Sequence, residues 1–284
     1  MKKILATILA LVLALGLTAT VWAADVSGST STKAAKIGGA EYDTLQAAID
    51  AASDGKNTVV ILKDLTESIT IASDKTITID LNGHTLTNTD GQHTITNNGT
   101  LTIIGTGTVD NVTHQRAAIV NNGTATLNGG TYTRSKENSD NNKEDAKGNS
   151  FYTILSDNGA TMTINEGVTV TNVGHFSSMI RNGGTSASTL IINGGTFSGG
   201  LNAIKNDEAG VLTINGGDFS NTSQFVVMNW HKTTINGGSF KALSSAEAVL
   251  FTAKYAENTA VGELTIINGT FERSSDTQKM IRGY

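Results

Sequence analysis

LIINGGTF, residues 190–197, is followed by LTINGGDF at 212–219 and by TTINGGSF at 233–240. A phrase that returns at intervals of about two dozen residues is typical of a solenoid, in which each repeat is one coil and buries its apolar side chains against the next coil. Further copies, some of them weaker, extend the repeat over most of the chain, at 101–109, 126–132, 162–170 and 264–271.

A second short apolar strand precedes most copies of the phrase, and it usually ends in Asn. Successive strands of this second kind lie about two dozen residues apart, except for two longer intervals. This period is longer than three hexapeptides, which argues against a left-handed hexapeptide solenoid. It predicts an all-β, right-handed, single-stranded parallel β-helix of about eight coils. Each strand of this second kind has one apolar residue that is expected to stack on the next coil, which we call its ladder residue. The ladder residues are Ile95, Ile119, Leu155, Ile180, Ile204, Val227, Leu250 and Ile281.

The composition of the phrase suits a stacked coil. Alternating Thr and Ile favour a half-buried strand, and Asn-Gly turns the chain because both residues tolerate a positive φ. Asn-Gly is also typical of hairpin turns, which reverse the chain. Because this phrase repeats in one direction, we expect Asn-Gly to form corners between the strands of a coil and not hairpins. We expect three inward or corner stacks: Ile164, Ile192, Ile214 and Ile235; an amide ladder of Asn128, Asn193, Asn215 and Asn236; and an aromatic stack of Tyr132, Phe197, Phe219, Phe240 and Phe271.

The N-terminal residues divide into segments of different composition. Residues 1–23 combine Lys2 and Lys3 with an apolar stretch too short for a membrane span, and they predict a signal peptide that is cleaved after Ala23. An uncleaved anchor is the alternative. Residues 24–36 are small and polar and predict a flexible linker. The remaining segments are a capping helix region at 37–58, with Leu45, Ala48, Ile49 and Ala52 on one helical face, and the β-helix at 59–284.

The overall composition narrows the class of partner. The net charge is −5, and it becomes more negative by two charges when Lys2 and Lys3 are removed. An acidic chain argues against nucleic acid or an anionic membrane as a partner, and we expect no membrane contact in the mature form. The chain has no Cys and no Pro, which excludes disulfides and a lipoprotein Cys, and a Pro-containing cell-wall sorting motif within these residues.

Residues 279–284 match the opening of a new coil, since they resemble residues 178–182. An uncapped last coil exposes strand edges that invite association. We therefore expect a β-helix that is truncated at its C-terminal end, and self-association through the uncapped coil is the alternative.

The order of these segments resembles a known class of proteins. A signal peptide is followed by YDTLQAAI at 42–49, by VVILKD at 59–64, by IDLNGHTL at 79–86 and then by the INGGxF coils. This order is similar to the right-handed parallel β-helix proteins of the pectin-lyase-like superfamily. Within that superfamily it most resembles the adhesin-like surface proteins of Gram-positive gut bacteria. The resemblance covers residues 37–284 and implies a secreted or cell-wall-associated protein with a structural or adhesive role.

Enzymes of that superfamily carry clustered carboxylates on an outward face, which act as an acid/base pair or bind calcium. In this chain Asp157 and Asp207 fall near corresponding positions, but Asn182 lies on the coil between them. Arg181 and Lys205 follow their ladder residues and are expected on the outward face, where they form either a site for an acidic sugar or an ordinary solvated face. No pair of carboxylates recurs at the fixed separation that acid/base chemistry needs, so we predict no catalytic residues.

The best candidate binding site is a corner of three consecutive coils. It predicts a glycan site, because an exposed Trp stacks on a sugar ring and nearby acids bind hydroxyl groups. The alternative is that Trp230 packs over the coil edge. The residues of this corner are Asp207 and Glu208, then Trp230 and His231, then Lys254 and Tyr255.

No residues predict a metal or a cofactor. The five His residues lack the spacing of a zinc site. The charged insertion at 134–150 is expected to be mobile, and it has Asp145 where a calcium loop requires Gly. Nucleotide-binding and nucleophile motifs are also missing from the sequence.

These observations favour an exported, non-catalytic surface protein that contacts glycans or a host surface. A polysaccharide lyase or glycoside hydrolase is the second interpretation, and a self-associating filament segment is the third. Clustered carboxylates on one outward sheet favour the enzyme, whereas a plain face of Thr, Ser and Asn favours the structural interpretation.

Overall fold

The structure, a computed structural model, describes residues 32–53, 58–137, 151–257 and 259–283. These residues form an all-β parallel solenoid of about eight turns with very little helix. The predicted parallel solenoid is therefore confirmed. The predicted signal peptide at 1–23 and most of the predicted linker lie outside the described residues.

Three sheets, named A, B and C, line the solenoid, and each coil contributes one strand to each sheet in that order. Strands of successive coils pair in parallel. Sheet A contains eleven strands: β1 (Ala35–Ile37), β2 (Ala40–Tyr42), β3 (Thr58–Ile61), β6 (Thr76–Asp80), β9 (Thr100–Ile104), β12 (Thr124–Leu127), β15 (Thr161–Ile164), β18 (Ser188–Ile192), β21 (Gly210–Ile214), β24 (Lys232–Ile235) and β27 (Glu263–Ile266). Sheet B contains nine: β4 (Leu65–Thr66), β7 (Thr85–Thr87), β10 (Thr108–Asp110), β13 (Thr131–Thr133), β16 (Thr169–Asn172), β19 (Thr196–Gly199), β22 (Asp218–Thr222), β25 (Ser239–Ala242) and β28 (Thr270–Glu272). Sheet C also contains nine: β5 (Ile69–Ile71), β8 (Ile95–Asn97), β11 (Ile119–Asn121), β14 (Ile154–Ser156), β17 (Ile180–Asn182), β20 (Asn202–Asn206), β23 (Phe225–Asn229), β26 (Ala248–Thr252) and β29 (Lys279–Gly283).

The N-terminal elements differ from the coils. Strand β1 pairs antiparallel with both β2 and β3. Its first two residues, Ala35 and Lys36, fall within the predicted linker, and Ala34 and Ala35 are buried. Helix α1 (Leu45–Ala51) follows, and the Thr44 hydroxyl accepts a hydrogen bond from the Ala47 N–H at 3.1 Å as its N-cap. The Glu67 carboxylate accepts the N–H groups of the first two helical residues, which satisfies donors that have no partner inside a helix.

Apolar side chains stack in register inside the solenoid. Ile164 pairs with Ile192, Ile192 with Ile214, and Ile214 with Ile235, and all four are fully buried. The predicted Ile stack is therefore confirmed. Burial of each such side chain stabilises the fold by about 1.5–3 kcal/mol.

The aromatic stack in sheet B is shorter than expected. The ring centroids of Phe197 and Phe219 lie 4.5 Å apart, and those of Phe219 and Phe240, and of Phe240 and Phe271, lie 4.9 Å apart. Tyr132 does not join them, because Val170 pairs with both Tyr132 and Phe197 and separates the two rings. The Tyr132 hydroxyl instead donates to the carbonyl oxygen of Gly129 at 3.0 Å.

The predicted amide ladder at the corner between sheets A and B is confirmed and gains a member. Asn236 donates to Asn215, and Asn215 donates to Asn193, with Nδ2–Oδ1 distances of 2.7 and 2.8 Å. Asn193 donates not to Asn128 but to Asn165, which in turn donates to Asn128. Asn165 occupies this position because residues 162–170, despite their weak match to the phrase, form the corner between the sheet A strand β15 and the sheet B strand β16.

A second amide ladder is buried at the end of the sheet C strands. Each side-chain amide donates to the side-chain oxygen on the next coil, and most also donate to a backbone carbonyl, as Asn206 does to Lys232 O at 3.0 Å. Ser156 interrupts this ladder because its side chain is too short. The buried Oδ1 of Asn182 consequently has no hydrogen-bond partner. The members of the ladder are Asn97, Asn121, Ser156, Asn182, Asn206, Asn229 and Thr252.

We expect Ser156→Asn to raise the free energy of unfolding by about 0.5–1.5 kcal/mol, because it gives the buried Asn182 oxygen a donor. Urea denaturation of the variant and the parent measures the difference. Ser220→Asn, on an outward position of sheet B, is the control and is expected to change stability little. A destabilised Ser156→Asn variant would show that the position lacks room for an amide.

The outward face of sheet A is plain and regular. One column of nine paired positions contains eight Thr residues and Ile191. Thr is favoured here because a β-branched side chain suits a half-exposed strand. The column is Thr58, Thr78, Thr102, Thr126, Thr163, Ile191, Thr213, Thr234 and Thr265.

The last described coil leaves apolar side chains in contact with solvent. Ile266, Ile267, Met280 and Ile281 are all exposed. All of them except Ile267 line a cavity of about 450 Å³ together with Phe271. Within the described residues no helix is long and apolar enough to cross a membrane.

Candidate ligand-binding face

The corner after sheet C brings some of the predicted site residues into register, but not all of them. Backbone hydrogen bonds from Asp207, Trp230 and Ala253 to the preceding coil place these three residues at one position. Ala253 therefore occupies the place that the sequence analysis gave to Lys254. Lys254 forms an isolated antiparallel bridge with Val261, which folds the following loop back on itself.

Arg181, Lys205 and Asp207 form an ion network on the outer side of sheet C. Arg181 Nε lies 2.7 Å from Asp207 Oδ2, and Lys205 Nζ lies 3.2 Å from the same oxygen. Arg181 Nη1 also lies 3.5 Å from Asp157 Oδ2. Burial opposes the charge of Arg181, but the hydrogen bond and the charge of Asp207 outweigh it and raise the pKa of the guanidinium.

The register of this network corrects one sequence-based alignment. Strand β14 pairs through Ile154, not Leu155, with Ile180, so Gly183 and not Asn182 lies between the two carboxylates. A Cβ on the next residue, Gly184, would lie 2.5 Å from Asp157 Oδ1, and glycine there leaves room for the carboxylate. The acids and bases neutralise one another, so this strip is not an open cationic site for an acidic sugar.

The other predicted residues line a separate cavity of about 230 Å³. Glu208, Trp230, His231 and Tyr255 contribute to its walls, together with residues of the folded-back loop. Lys254 is not among the lining residues. The structure therefore divides the predicted site into an ion network and an aromatic cavity.

Trp230 combines packing with an unused donor. Its ring is half-buried and makes edge-on contacts with Phe251, at 5.1 Å between centroids, and with Tyr255, at 6.0 Å. The expectation that Trp230 packs over the coil edge is thus correct for one side of the ring. However, its buried Nε1 has no hydrogen-bond partner, and an unpaired buried N–H costs about 1–3 kcal/mol.

His231 and Glu208 add acceptors to the cavity. His231 Nδ1 lies 3.1 Å from the carbonyl oxygen of Gly210, and because a carbonyl only accepts, Nδ1 carries the proton. The Nε2 of a neutral His231 is then an acceptor, and the Glu208 carboxylate is another. A cavity lined by an indole, an imidazole and a carboxylate combines a donor with acceptors, which suits a ligand with hydroxyl groups.

Six aromatic residues lie in or next to the strands of sheet C, and we call the surface that they form the sheet C face. Phe225 and Phe251 stack at 4.7 Å between centroids, and the Arg181 guanidinium lies 5.8 Å from the centroid of the Tyr152 ring. The sequence analysis identified Trp230 and Tyr255 but missed the other four aromatic residues of this face. The sequence could have predicted that Phe251 faces outward, because it directly follows its ladder residue, as Arg181 and Lys205 do. The face comprises Phe151, Tyr152, Phe225, Trp230, Phe251 and Tyr255.

A wider groove follows the exposed amide ladder and encloses about 760 Å³. Its floor consists of glycines such as Gly195 and Gly217, and its walls are Asn, Thr and acidic side chains. The Asn amides already bond to one another. No aromatic residue lines this groove. It therefore has no ring that could stack on a sugar, whereas the Trp230 cavity has two.

The insertion at 134–150 was expected to be mobile, and the structure shows that its start, at residues 134–137, is anchored. Arg134 and Glu137 are fully buried and form an ion pair. Residues 138–150 lie outside the described residues. In the described part of the chain, no three His, Cys, Asp or Glu side chains are grouped as metal ligands.

Comparison with known proteins found no matching family model, no matching curated protein and no matching solved structure.

Proposed function

We propose that this chain is an exported, non-catalytic β-solenoid that contacts glycans through the Trp230 cavity. The observation that carries the proposal is the unpaired indole N–H of Trp230 in a cavity lined by Tyr255, Glu208 and His231. Aromatic rings pack against the apolar face of a sugar, while the N–H and the acceptors bind its hydroxyl groups.

The finer assignment of the fold is part of the same proposal. The coils are right-handed, as in the pectin-lyase-like superfamily, and α1 caps the first coil. Burial of Leu45, Ala48 and Ile49 supports a capping role, because such a helix covers an edge that is otherwise exposed. A signal peptide cleaved after Ala23 would place the protein outside the cell or on the cell wall, where an adhesin-like role fits.

The charges of the described residues favour a non-catalytic role over a lyase or hydrolase. Asp207 is nearly fully buried and paired with two cations of the chain itself, so its carboxylate is not open to a substrate. The outward column of nine paired positions in sheet A contains eight Thr residues and no carboxylate. Release of reducing ends from neutral or uronate-containing polysaccharides by residues 24–284, with or without calcium, would overturn the non-catalytic assignment.

We expect Trp230→Ala to weaken glycan binding about tenfold, because it removes both an aromatic contact and a hydrogen-bond donor. A glycan array identifies a bound sugar, and calorimetry measures its affinity for each variant. Trp230→Phe keeps a ring but loses the N–H, so it separates the two contributions.

Phe176→Ala is the matched control, since Phe176 is an exposed aromatic residue that does not line this cavity. The control is expected to bind as the parent does. A parent protein that binds no sugar on the array, or a Trp230→Ala variant with full affinity, would contradict the proposal.

Self-association through the last coil is a second candidate, and the exposure of Ile266 and Ile281 favours it. In this proposal a second copy of the chain covers the two side chains. Light scattering at increasing protein concentration tests it, and a constant monomer mass would argue against it.

A further inference from the structure

A second cavity lies on the sheet C face, near the N-terminal coils. It encloses about 420 Å³ and shares no lining residue with the Trp230 cavity. Its walls are mostly aromatic and aliphatic, and one cation lies among them. The lining residues used below are His93, Gln115, Arg116, Phe151, Tyr152 and Leu155.

The Arg116 guanidinium has donors to spare and, among the described residues, no counter-charge. Its Nε donates to Gly91 O at 2.7 Å, and its Nη1 donates to Gln115 O at 3.0 Å. A guanidinium has five N–H donors, so these two bonds leave three. No described carboxylate forms an ion pair with Arg116.

A buried side chain fixes the cavity from behind. Arg134, which is fully buried, donates to the carbonyl oxygens of Arg116 at 2.9 Å and of Phe151 at 3.4 Å. One rigid residue thus positions both the cation and an aromatic wall. Gln115, beside them, has a φ of 55°, a conformation that non-glycine residues adopt at some cost. These features describe a preorganised cavity.

His93 adds a second donor on the same side. The N–H of Ala117 donates to His93 Nδ1 at 2.9 Å, so the neutral ring carries its proton on Nε2. Burial and the positive charge of Arg116 lower the pKa of His93, and the ring is therefore neutral at pH 7. Its Nε2–H is therefore a neutral donor, which can donate a hydrogen bond to an anionic group without a proton transfer.

The remaining walls restrict the ligand. Phe151 and Tyr152 meet edge to face at 5.3 Å between centroids, and His93 lies 6.3 Å from Phe151. Leu155 completes an apolar surface. A ligand with many hydroxyl groups would leave most of them unpaired against such walls, at a cost for each buried group. The cavity fits an apolar group that ends in one anionic group.

We propose that this cavity binds a carboxylate attached to an apolar group, with Arg116 holding the carboxylate and Phe151 and Tyr152 packing against the apolar part. A planar guanidinium matches a carboxylate through two parallel hydrogen bonds. The ligand is either a free aromatic acid or the C-terminus of a peptide that ends in an apolar residue. This proposal does not depend on glycan binding at Trp230.

Calorimetry with the whole chain at pH 7 tests the proposal with matched probes. N-acetylphenylalanine represents a peptide C-terminus, and its amide is the same molecule without the charge. 3-Phenylpropionate represents a free acid, and glucuronate carries a carboxylate on a polar ring. We expect at least one aromatic acid to bind about ten- to a hundredfold more tightly than the amide and than glucuronate. Whichever acid binds more tightly identifies the source of the ligand.

Two charge variants locate the site. Arg116→Gln is expected to remove the preference for acid over amide, and Arg273→Gln removes one exposed Arg elsewhere and is expected to leave it intact. Trp230→Ala is also expected to bind the acid normally, so that failure of the glycan proposal is distinguishable from failure of this one. If Arg116→Gln fails to fold, the NMR signals of His93 in the parent are expected to shift with the acid and not with the amide.

Three results would overturn the proposal. One is equal affinity of the parent for the acids and the amide. Another is glucuronate binding as tight as that of the aromatic acids. The third is an equal loss of acid binding in Arg116→Gln and Arg273→Gln, which would indicate a general effect of charge.

Discussion

Arg134→Met is expected to lower the free energy of unfolding by about 3–5 kcal/mol, because it leaves the buried carboxylate of Glu137 without its cation. Arg134 and Glu137 are both fully buried. The guanidinium also donates to the carbonyl oxygens of Thr113, Arg116 and Phe151, and the variant leaves these acceptors unpaired. Urea denaturation at pH 7 measures the loss.

The loss is expected to depend on pH. Burial raises the pKa of Glu137, although the charge of Arg134 opposes the shift. A carboxyl with a raised pKa binds more protons in the folded state, so its contribution to stability falls as pH rises from its ordinary pKa to the raised one. Removal of Arg134 raises the pKa of Glu137 further. The deficit of the variant should therefore be largest near neutral pH and should shrink as the pH falls towards 4.5.

Replacement of both partners is the control for this prediction. Arg134→Met with Glu137→Leu removes the buried charge altogether, and apolar replacement of a whole buried pair is often neutral or stabilising. We expect the double variant to be more stable than Arg134→Met alone. Equal destabilisation of the two variants would mean that the backbone hydrogen bonds of Arg134, and not its charge pairing, account for the loss.

Phe219→Ala is expected to cost about 3–5 kcal/mol, because it opens a cavity in the middle of the aromatic stack. Phe219 is 1% exposed and has a stacked ring on each side. The large cost follows because coils held by continuous strand pairing cannot collapse into the space. Urea denaturation again measures the difference.

Phe271→Ala is the matched control at the end of the same stack. Phe271 is only partly buried and has one stacked neighbour, Phe240. We expect it to cost less than half as much as Phe219→Ala. Equal costs at the two positions would show that burial against the strands, and not the two-sided stack, determines the contribution of each ring.

The sequence predicted those features that repeat at every coil. The phrase around Asn193, Asn215 and Asn236 predicted the parallel solenoid and its exposed ladder, because identical residues in identical coils must stack. Prediction failed where a coil departs from the period. Ile154 and Leu155 are both apolar, so alternation alone did not decide which faces inward.

The candidate site was predicted less well, because it depends on contacts between coils. Trp230, His231 and Tyr255 were identified as unusual corner residues, and the structure brings them together. Asp207 was expected to be available to a ligand, but Arg181 from the preceding coil and Lys205 from its own strand neutralise it. The sequence analysis placed Arg181 and Lys205 on the outward face but did not pair them with Asp207, because such a pair depends on the register between coils. The Arg116 cavity was not predicted at all, since its walls come from segments that the insertion separates.

The two amide ladders run in opposite senses along the solenoid. In the exposed ladder each amide N–H points to the preceding coil, as Asn215 does to Asn193. In the buried ladder it points to the following coil, as Asn206 does to Asn229. Each ladder is a row of aligned dipoles, and head-to-tail alignment strengthens every bond in a row. Since the rows are antiparallel, their fields oppose each other, and the ladders do not sum to the macrodipole that a helix of similar length would have.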